Sequence, residues 1–270
     1  MSEVKKVYSQ GKFDPSHPLI TQSFLGMWSA CPLSAYYRYI EGKIVPPGVA
    51  ALQGTSTDAA VTYGAETIIK TGSDAPLKDK VDLALTTFSE KKKDHQFWED
   101  DDENALMKQT EQLVTTHHNV IGPNLKPVRT QEAILVEGPE FNLAGTIDIV
   151  EENNLLVDTK TAGKSNEYPA KGILQSAMYT KLYREKYNVE PSGFRFDVVV
   201  KNKTPKIEQV NANVGPQSLA VLDHVINSTM KELKSSLDSG VFRIAENGHW
   251  RCAATGKWCG YINLCPKGKS

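Results

Sequence analysis

The chain has 270 residues, 40% of them hydrophobic and 23% charged, with 31 basic against 32 acidic residues and a formal net charge of −1. These values exclude a disordered, collagen-like or coiled-coil chain. The balanced charge also excludes a polybasic protein that coats nucleic acid through bulk positive charge. No apolar run reaches the ~18–20 residues a membrane helix needs. The start, MSEVKKVYSQGKFDPSHP, lacks the apolar stretch of a secretory signal, so a cytoplasmic protein with no membrane association is expected.

In chain order, residues 1–19 read as a polar leader with Pro15 and Pro18. Apolar spacing over 23–42 predicts two short helices, with Pro32 near the start of the second. A loop follows over 43–50, then a helix over 55–70 capped near Thr55 or Ser56. Helical patterns at 78–96 and 103–119 flank the acidic run 99–103, which reads as a solvated face or a helix start. Strands are expected at 130–137, 140–151 and 154–159, as a meander. A helix follows over 171–187, then strands at 194–203 and 206–212, and a long amphipathic helix over 216–239. This order predicts a mixed central sheet flanked by helices, an α/β or α+β domain with a helical insertion at 71–124.

The chemistry concentrates in GTIDIVEENNLLVDTKTAGKS, 145–165. Asp148 lies near the end of one strand and Asp158 and Lys160 at the end of the next, so a hairpin sets the two strands side by side. Asp158 and Lys160 are two apart and face one side of the strand. Paired carboxylates are hard oxygen ligands for Mg²⁺ or Mn²⁺, and the Thr159 carbonyl adds another oxygen. Lys160 can orient an attacking water and stabilise charge on phosphorus, so the pattern suits metal-assisted phosphodiester hydrolysis. The bland reading makes the two aspartates turn residues and Lys160 a surface lysine.

G-T-I-D followed by V-D-T-K-T resembles the core motif of the PD-(D/E)XK nuclease superfamily, in its RecB-like branch. That resemblance implies a restriction-endonuclease-like core. The helix after the motif carries Gln175 and Tyr179 one turn apart, similar to the branch's Q-x-x-x-Y helix. There the glutamine supports the site and the tyrosine lies towards DNA or the catalytic centre. Tyr179 also suits simple core packing, and Gln175 a surface amide. In one respect the sequence departs from the pattern: Asp58 in GTSTDAAV stands where the family often has a ligand histidine. Asp58 is either a substitute metal ligand or a helix N-terminal acid favoured by the macrodipole. A further family acid on the preceding strand corresponds to Glu132 or Glu137, and the spacing allows at most one to face the site.

Three of the four cysteines, Cys252, Cys259 and Cys265, crowd into the tail, which favours a metal or iron–sulfur site. With Cys31-Pro32 and the aromatic stretch Tyr36, Tyr37, Tyr39, they resemble the iron–sulfur branch of the superfamily, which includes small CRISPR-associated and phage exonucleases and the AddB nuclease domain. The resemblance runs from about residue 23 to 267 and implies a structural 4Fe–4S cluster on Cys31, Cys252, Cys259 and Cys265. Such a cluster would clasp 20–45 to 240–270 around a catalytic core at 125–239, all within one nuclease domain. Zinc competes for the same four thiols, although the C-x2-C pairs of a zinc ribbon are absent.

The expected function is therefore a Mg²⁺- or Mn²⁺-dependent exonuclease acting on DNA ends, single- or double-stranded, in recombination, repair or CRISPR or phage DNA processing. The rival is a non-catalytic DNA-end-binding or protein-docking module of the same fold. With no P-loop motif, larger tasks would need a helicase, recombinase or CRISPR adaptation partner. The resemblance also raises homo-oligomers, and the host cytoplasm as location if the gene is a phage's. Basic residues with interleaved aromatics (Arg243, Trp250, Arg251, Lys257, Trp258, Tyr261, Lys267, Lys269) are expected to meet DNA or pack around the cluster. Lys164, Lys171, Lys201 and Lys203 are expected near the catalytic mouth. His117-His118 reads as a helix C-terminal cap or surface pair. His249 borders the cysteine tail.

Overall fold

The computed structural model describes residues 13–163, 173–246, 249, 252 and 259–268. The expected sites Lys164, Lys171, Trp250, Arg251, Lys257, Trp258 and Lys269 lie outside these residues. The chain divides into two compact units, one of Met1–Val45, Leu135–Gly145 and Pro216–Ser270, the other of Pro46–Ile134 and Thr146–Gly215.

The first unit opens with a short strand that the sequence reading missed, β1 (Leu19–Thr21). Thr21 then caps helix α1 (Gln22–Ala30), its hydroxyl accepting from the Phe24 amide at 3.1 Å. Pro32 starts α2 (Pro32–Ala35), where its missing N–H costs nothing, and a π-helical turn continues over Tyr36–Ile40. Phe24, Leu25 and Trp28 are buried, as are Leu222, Ile226 and Leu233 of the long helix over Pro216–Ser239. The Trp28 indole donates to Glu232 of that helix at 2.8 Å.

The second unit holds the longer elements. Helix α3 spans Val49–Thr71 and starts six residues before the expected Thr55, because Gly48 takes the N-cap position with no side-chain cap. Ala50, Ala51 and Leu52 are good helix formers, so no polar residue was needed to mark the start. Helices α4 (Leu77–Lys91) and α5 (Glu103–Val120) pack on it through Ala60, Ala84 and Val114. The acidic run does start a helix: the Asp102 carboxylate accepts from the amides of Asn104 and Ala105. Strands β2 (Pro127–Val136), β3 (Asn142–Glu151) and β4 (Leu155–Ala162) follow. Then come α6 (Ile173–Tyr187), β5 (Gly193–Val200), β6 (Lys206–Ala212) and, in the other unit, the helix Pro216–Ser239, α7.

All six strands form a mixed sheet. The first residues of β3 pair in parallel with β1, and its later residues pair antiparallel with β4. Asn153 and Asn154 turn the β3–β4 hairpin in the left-handed region at φ 59° and 61°, where asparagine is tolerated better than most residues. β4 and β5 run parallel along their whole length, with α6 between them in sequence, and β5 and β6 form an antiparallel pair. Alternation divides β4. Val157 faces a cluster with Val61, Ala65, Ile121, Leu125 and Ile149, on the side of α3. Asp158 faces α6 on the other side.

Candidate active site

The β3–β4 ladder pairs Ile149 with Val157 and Val150 with Leu156. The next opposed residues in that register are Asp148 and Asp158, which stand where the β3–β4 ladder stops and β4 continues beside β5. The Asp148 carboxylate accepts from the Thr159 amide at 3.1 Å, filling the place of a ladder bond at this fork. The sequence pointed to the Thr159 carbonyl. It gave no signal for this amide, which is what fixes Asp148.

Asp158 is 1% exposed. Its Oδ2 lies 2.6 Å from the Lys160 ammonium, and its Oδ1 accepts from the Gln175 amide nitrogen at 2.7 Å. Asp158 and Lys160 therefore share a face, as their spacing predicted. Gln175 is buried against the site rather than being a surface amide. Tyr179 lies one turn on from Gln175, half-buried, its ring 6.2 Å from that of Phe194. Tyr179 therefore combines core packing with proximity to the charged cluster.

Asp58 enters from α3. It lies well inside the helix, which begins at Val49, so the helix-N-terminus reading of this residue fails. Its charge is felt by Asp148, and it feels that of Asp158 in turn. Neither candidate for the extra strand acid joins the cluster through a described hydrogen bond. Glu132 instead bonds Tyr187 at 2.5 Å and pairs with Lys186.

Crowding shows in the ionisation of these groups. Burial, then the Asp158 charge, pushes Asp58 up to about 6. Burial, then Asp158 and Asp58, raises Asp148 well above the carboxylate range. Burial raises Asp158 too, against the opposing pull of Lys160 and its hydrogen bonds. Lys160 is disfavoured by burial, yet Asp158 and Asp148 outweigh that and raise it above the ordinary lysine value. Burial and the nearby Asp158 push Tyr179 up to about 12. Three carboxylates thus share one ammonium. Their oxygens suit a hard divalent cation, which would relieve the repulsion. Among the described residues, no group of three or more His, Cys, Asp or Glu stands in an arrangement that could hold a metal as it is.

In the first unit Cys31 and Cys265 are buried and Cys252 and Cys259 half-buried. Burial raises the Cys259 thiol, and Cys252, Cys31 and Cys265 all lie close enough to add to that shift. The tail is held by the Tyr261 hydroxyl on the Lys43 carbonyl at 2.7 Å and the Tyr37 hydroxyl on the Leu264 carbonyl at 3.0 Å. Gly260 is required beside Cys259, since a Cβ there would come within 2.2 Å of Val45. Arg243 pairs with Glu232, and Lys267 donates to the Ala245 carbonyl. The histidine pair departs from its expected surface role. His117 is 1% exposed with neither ring nitrogen hydrogen-bonded, because its side of α5 packs inward, and His118 lies 2.9 Å from Asp74.

A mixed α/β sheet flanked by helices thus carries two opposed aspartates and a lysine at a strand fork. The chain belongs to the PD-(D/E)XK nuclease superfamily, whose family model matches residues 20–266. Nucleases of this superfamily generally use divalent metals such as Mg²⁺ or Mn²⁺, and membership implies DNA as substrate. The fold is similar to the crystal structure of a candidate exonuclease from Eubacterium rectale, with a TM-score of 0.65 and 13% identity over 90% of this chain and 89% of that one. A crystal structure named SSO0001 aligns over 98% of this chain and 92% of its own at 12% identity, with a TM-score of 0.35. No curated protein matches the sequence. No described helix is long and apolar enough to cross a membrane.

Proposed function

We propose that this nuclease is a Mg²⁺- or Mn²⁺-dependent exonuclease that hydrolyses phosphodiester bonds from DNA ends. The observation that carries the catalytic part is the convergence of Asp58, Asp148, Asp158 and Lys160 at the β3–β4 fork. Asp58, Asp148, Asp158 and the Thr159 carbonyl would hold the cation, which when bound polarises the phosphoryl group and acidifies a water. The chain's own groups do the rest. Asp148 is held by the Thr159 amide, and Asp158 by Gln175 and Lys160. The Lys160 ammonium, with 29% of its side chain exposed, orients the attacking water and faces the charge that builds on phosphorus. Tyr179 keeps its proton and closes the apolar side of the site. Action on ends follows the small exonucleases that the sequence resembles, and the structural neighbour bears an exonuclease's name.

The second part of the proposal is a structural 4Fe–4S cluster on Cys31, Cys252, Cys259 and Cys265. Its support is the resemblance to the iron–sulfur branch and the place of all four cysteines in one unit, where Cys259 feels the other three. Thiolates are the donors such clusters take, and joining thiols from opposite ends of the chain constrains a very long loop.

The test is digestion of end-labelled linear and covalently closed circular DNA by protein purified without oxygen, with Mg²⁺, Mn²⁺ or a chelator. Metal-dependent loss of linear DNA, abolished in Lys160→Ala, is expected, with circles spared. Cleavage of circles would replace the exonuclease with an endonuclease. No cleavage, or equal cleavage by the variant, would leave a DNA-end-binding module. Iron and acid-labile sulfide, both lost in Cys259→Ser, are expected on analysis of the same protein, whereas stoichiometric zinc would refute the cluster.

A further inference from the structure

Beyond the fork, one cation stands out. Lys201 follows the last residue of β5, and its amide donates to the Ala162 carbonyl at the end of β4 at 2.7 Å. Its side chain is half-buried and donates to Gln53 Oε1 at 3.3 Å. Gln53 is 2% exposed on α3, and its nitrogen donates to Gln109 Oε1 at 2.9 Å and to the Leu106 carbonyl at 3.3 Å. Helix α5 thereby fixes the amide so that its oxygen, not its nitrogen, meets the lysine. Among the described residues no carboxylate pairs with Lys201, and burial alone lowers its basicity. By contrast, Lys80 has Asp74, Lys160 has Asp158, and Arg195 has Glu151 and Asp197.

Its place in the sheet gives that cost a purpose. Lys160 is in register with Val198, three residues before Lys201 on the neighbouring strand. Three residues at ~3.3 Å and one strand spacing of ~4.8 Å put the two Cα atoms on the order of 11 Å apart. By alternation Lys201 shares the face of Thr161, and Thr161 Oγ1 lies 3.5 Å from where a Cβ on Gly54 of α3 would sit. Lys160 faces α6. The two ammonium groups therefore flank the carboxyl ends of β4 and β5 from opposite faces, where ligands of open α/β sheets bind.

We propose that Lys201 anchors a backbone phosphate of the DNA strand beside the scissile one, and that Gln53 and Gln109 position it. The inference rests on the nuclease reading. A phosphate would supply the counter-charge that the described residues do not, and the contact would be indifferent to base sequence.

The test is the salt dependence of binding of a fluorescent linear DNA, with chelator present to prevent cleavage. A lysine that neutralises one phosphate contributes ~0.7–0.9 to the slope of log K against log salt. Lys201→Met is expected to lower the slope by that amount and raise Kd alike for unrelated sequences, and Lys201→Arg to restore both. Gln53→Glu, which gives Lys201 an internal carboxylate, should lower the slope equally without removing the lysine, and covers the case of a misfolded Lys201→Met. Lys70→Met, at the exposed end of α3, should leave the slope unchanged. An unchanged slope in Lys201→Met and Gln53→Glu, or an equal drop in Lys70→Met, overturns the anchor. Failure of the wild type to bind DNA at all would overturn the nuclease reading beneath it.

Discussion

His117 offers the most quantitative check on the interior. Its imidazole is 1% exposed, and neither nitrogen finds a hydrogen-bond partner in the structure. Burial first, then the Lys80 charge, lowers its pKa from 6.5 to about 4, and Asp197 and Asp74 only partly oppose the shift. The folded state therefore holds fewer protons than the unfolded state below pH 6.5. Stability is fully present above 6.5, declines as the pH falls, and stops declining below about 4. At 1.36 kcal/mol per unit, the whole shift is worth about 3 kcal/mol, of which roughly a third is lost by pH 5.5 and most by pH 4.5. His117→Leu keeps a similar volume and cannot titrate. Urea unfolding of both proteins at pH 7.5, 5.5 and 4.5 isolates the histidine, because all other groups titrate in both. The stability of wild type relative to variant should fall by roughly 2–3 kcal/mol across that range. Parallel pH profiles would refute the reasoning, and would mean that the imidazole already carries a proton or a water in the fold.

Gln175→Leu removes the 2.7 Å bond to the buried Asp158, an interaction worth ~1.5–3 kcal/mol to a charged group. If that support carries into the transition state, kcat/KM for DNA cleavage should drop roughly 10- to 100-fold, and an unchanged value would make Gln175 a bystander. Lys80→Met strands Asp74 in the interior, where Lys80 Nζ now sits 2.9 Å from it and Lys80 is 2% exposed. The expected loss is ~3–5 kcal/mol by urea unfolding, largely recovered when Asp74→Asn is added, and a loss under 1 kcal/mol would show that His118 already suffices. Gly64→Ala, normally favourable inside a helix, should destabilise, because its Cβ would lie 2.6 Å from Asp74 Oδ1 and 2.7 Å from Lys80 Nζ.

What was legible in the sequence was whatever depended on period and local chemistry. The shared face of Asp158 and Lys160 follows from a repeat of two, and α7 and β6 begin and end where their apolar patterns do. The illegible features depend on distant partners. β1 has three residues and is a strand only because Asn142–Ala144 lie alongside it. His117 looked like a helix cap because the sequence shows a helix end but not which face meets Lys80 and Asp197. Gln131 carries a φ of 46° inside β2 with its amide on Thr62, and no turn residue announces that departure.

The fork itself belongs to this second kind, and what braces it lies on the other face of the sheet. Asp197, fully buried, is in register with Thr159, whose amide holds Asp148. Arg195 bonds Asp197 at 2.8 and 3.0 Å and Glu151 at 3.2 and 2.9 Å, and Gln209 adds a bond to Asp197 at 3.0 Å. Glu151 is on β3, three residues beyond Asp148, while Arg195 is on β5, so this bridge reaches past β4, the strand that carries Asp158 and Lys160. β3 and β5 are therefore tied to each other next to the place where β3 and β4 stop pairing. A network of this kind contributes little net stability, since desolvation offsets most of its attraction. Its consequence is geometric: β4 is confined between fixed neighbours at the fork where the two aspartates meet.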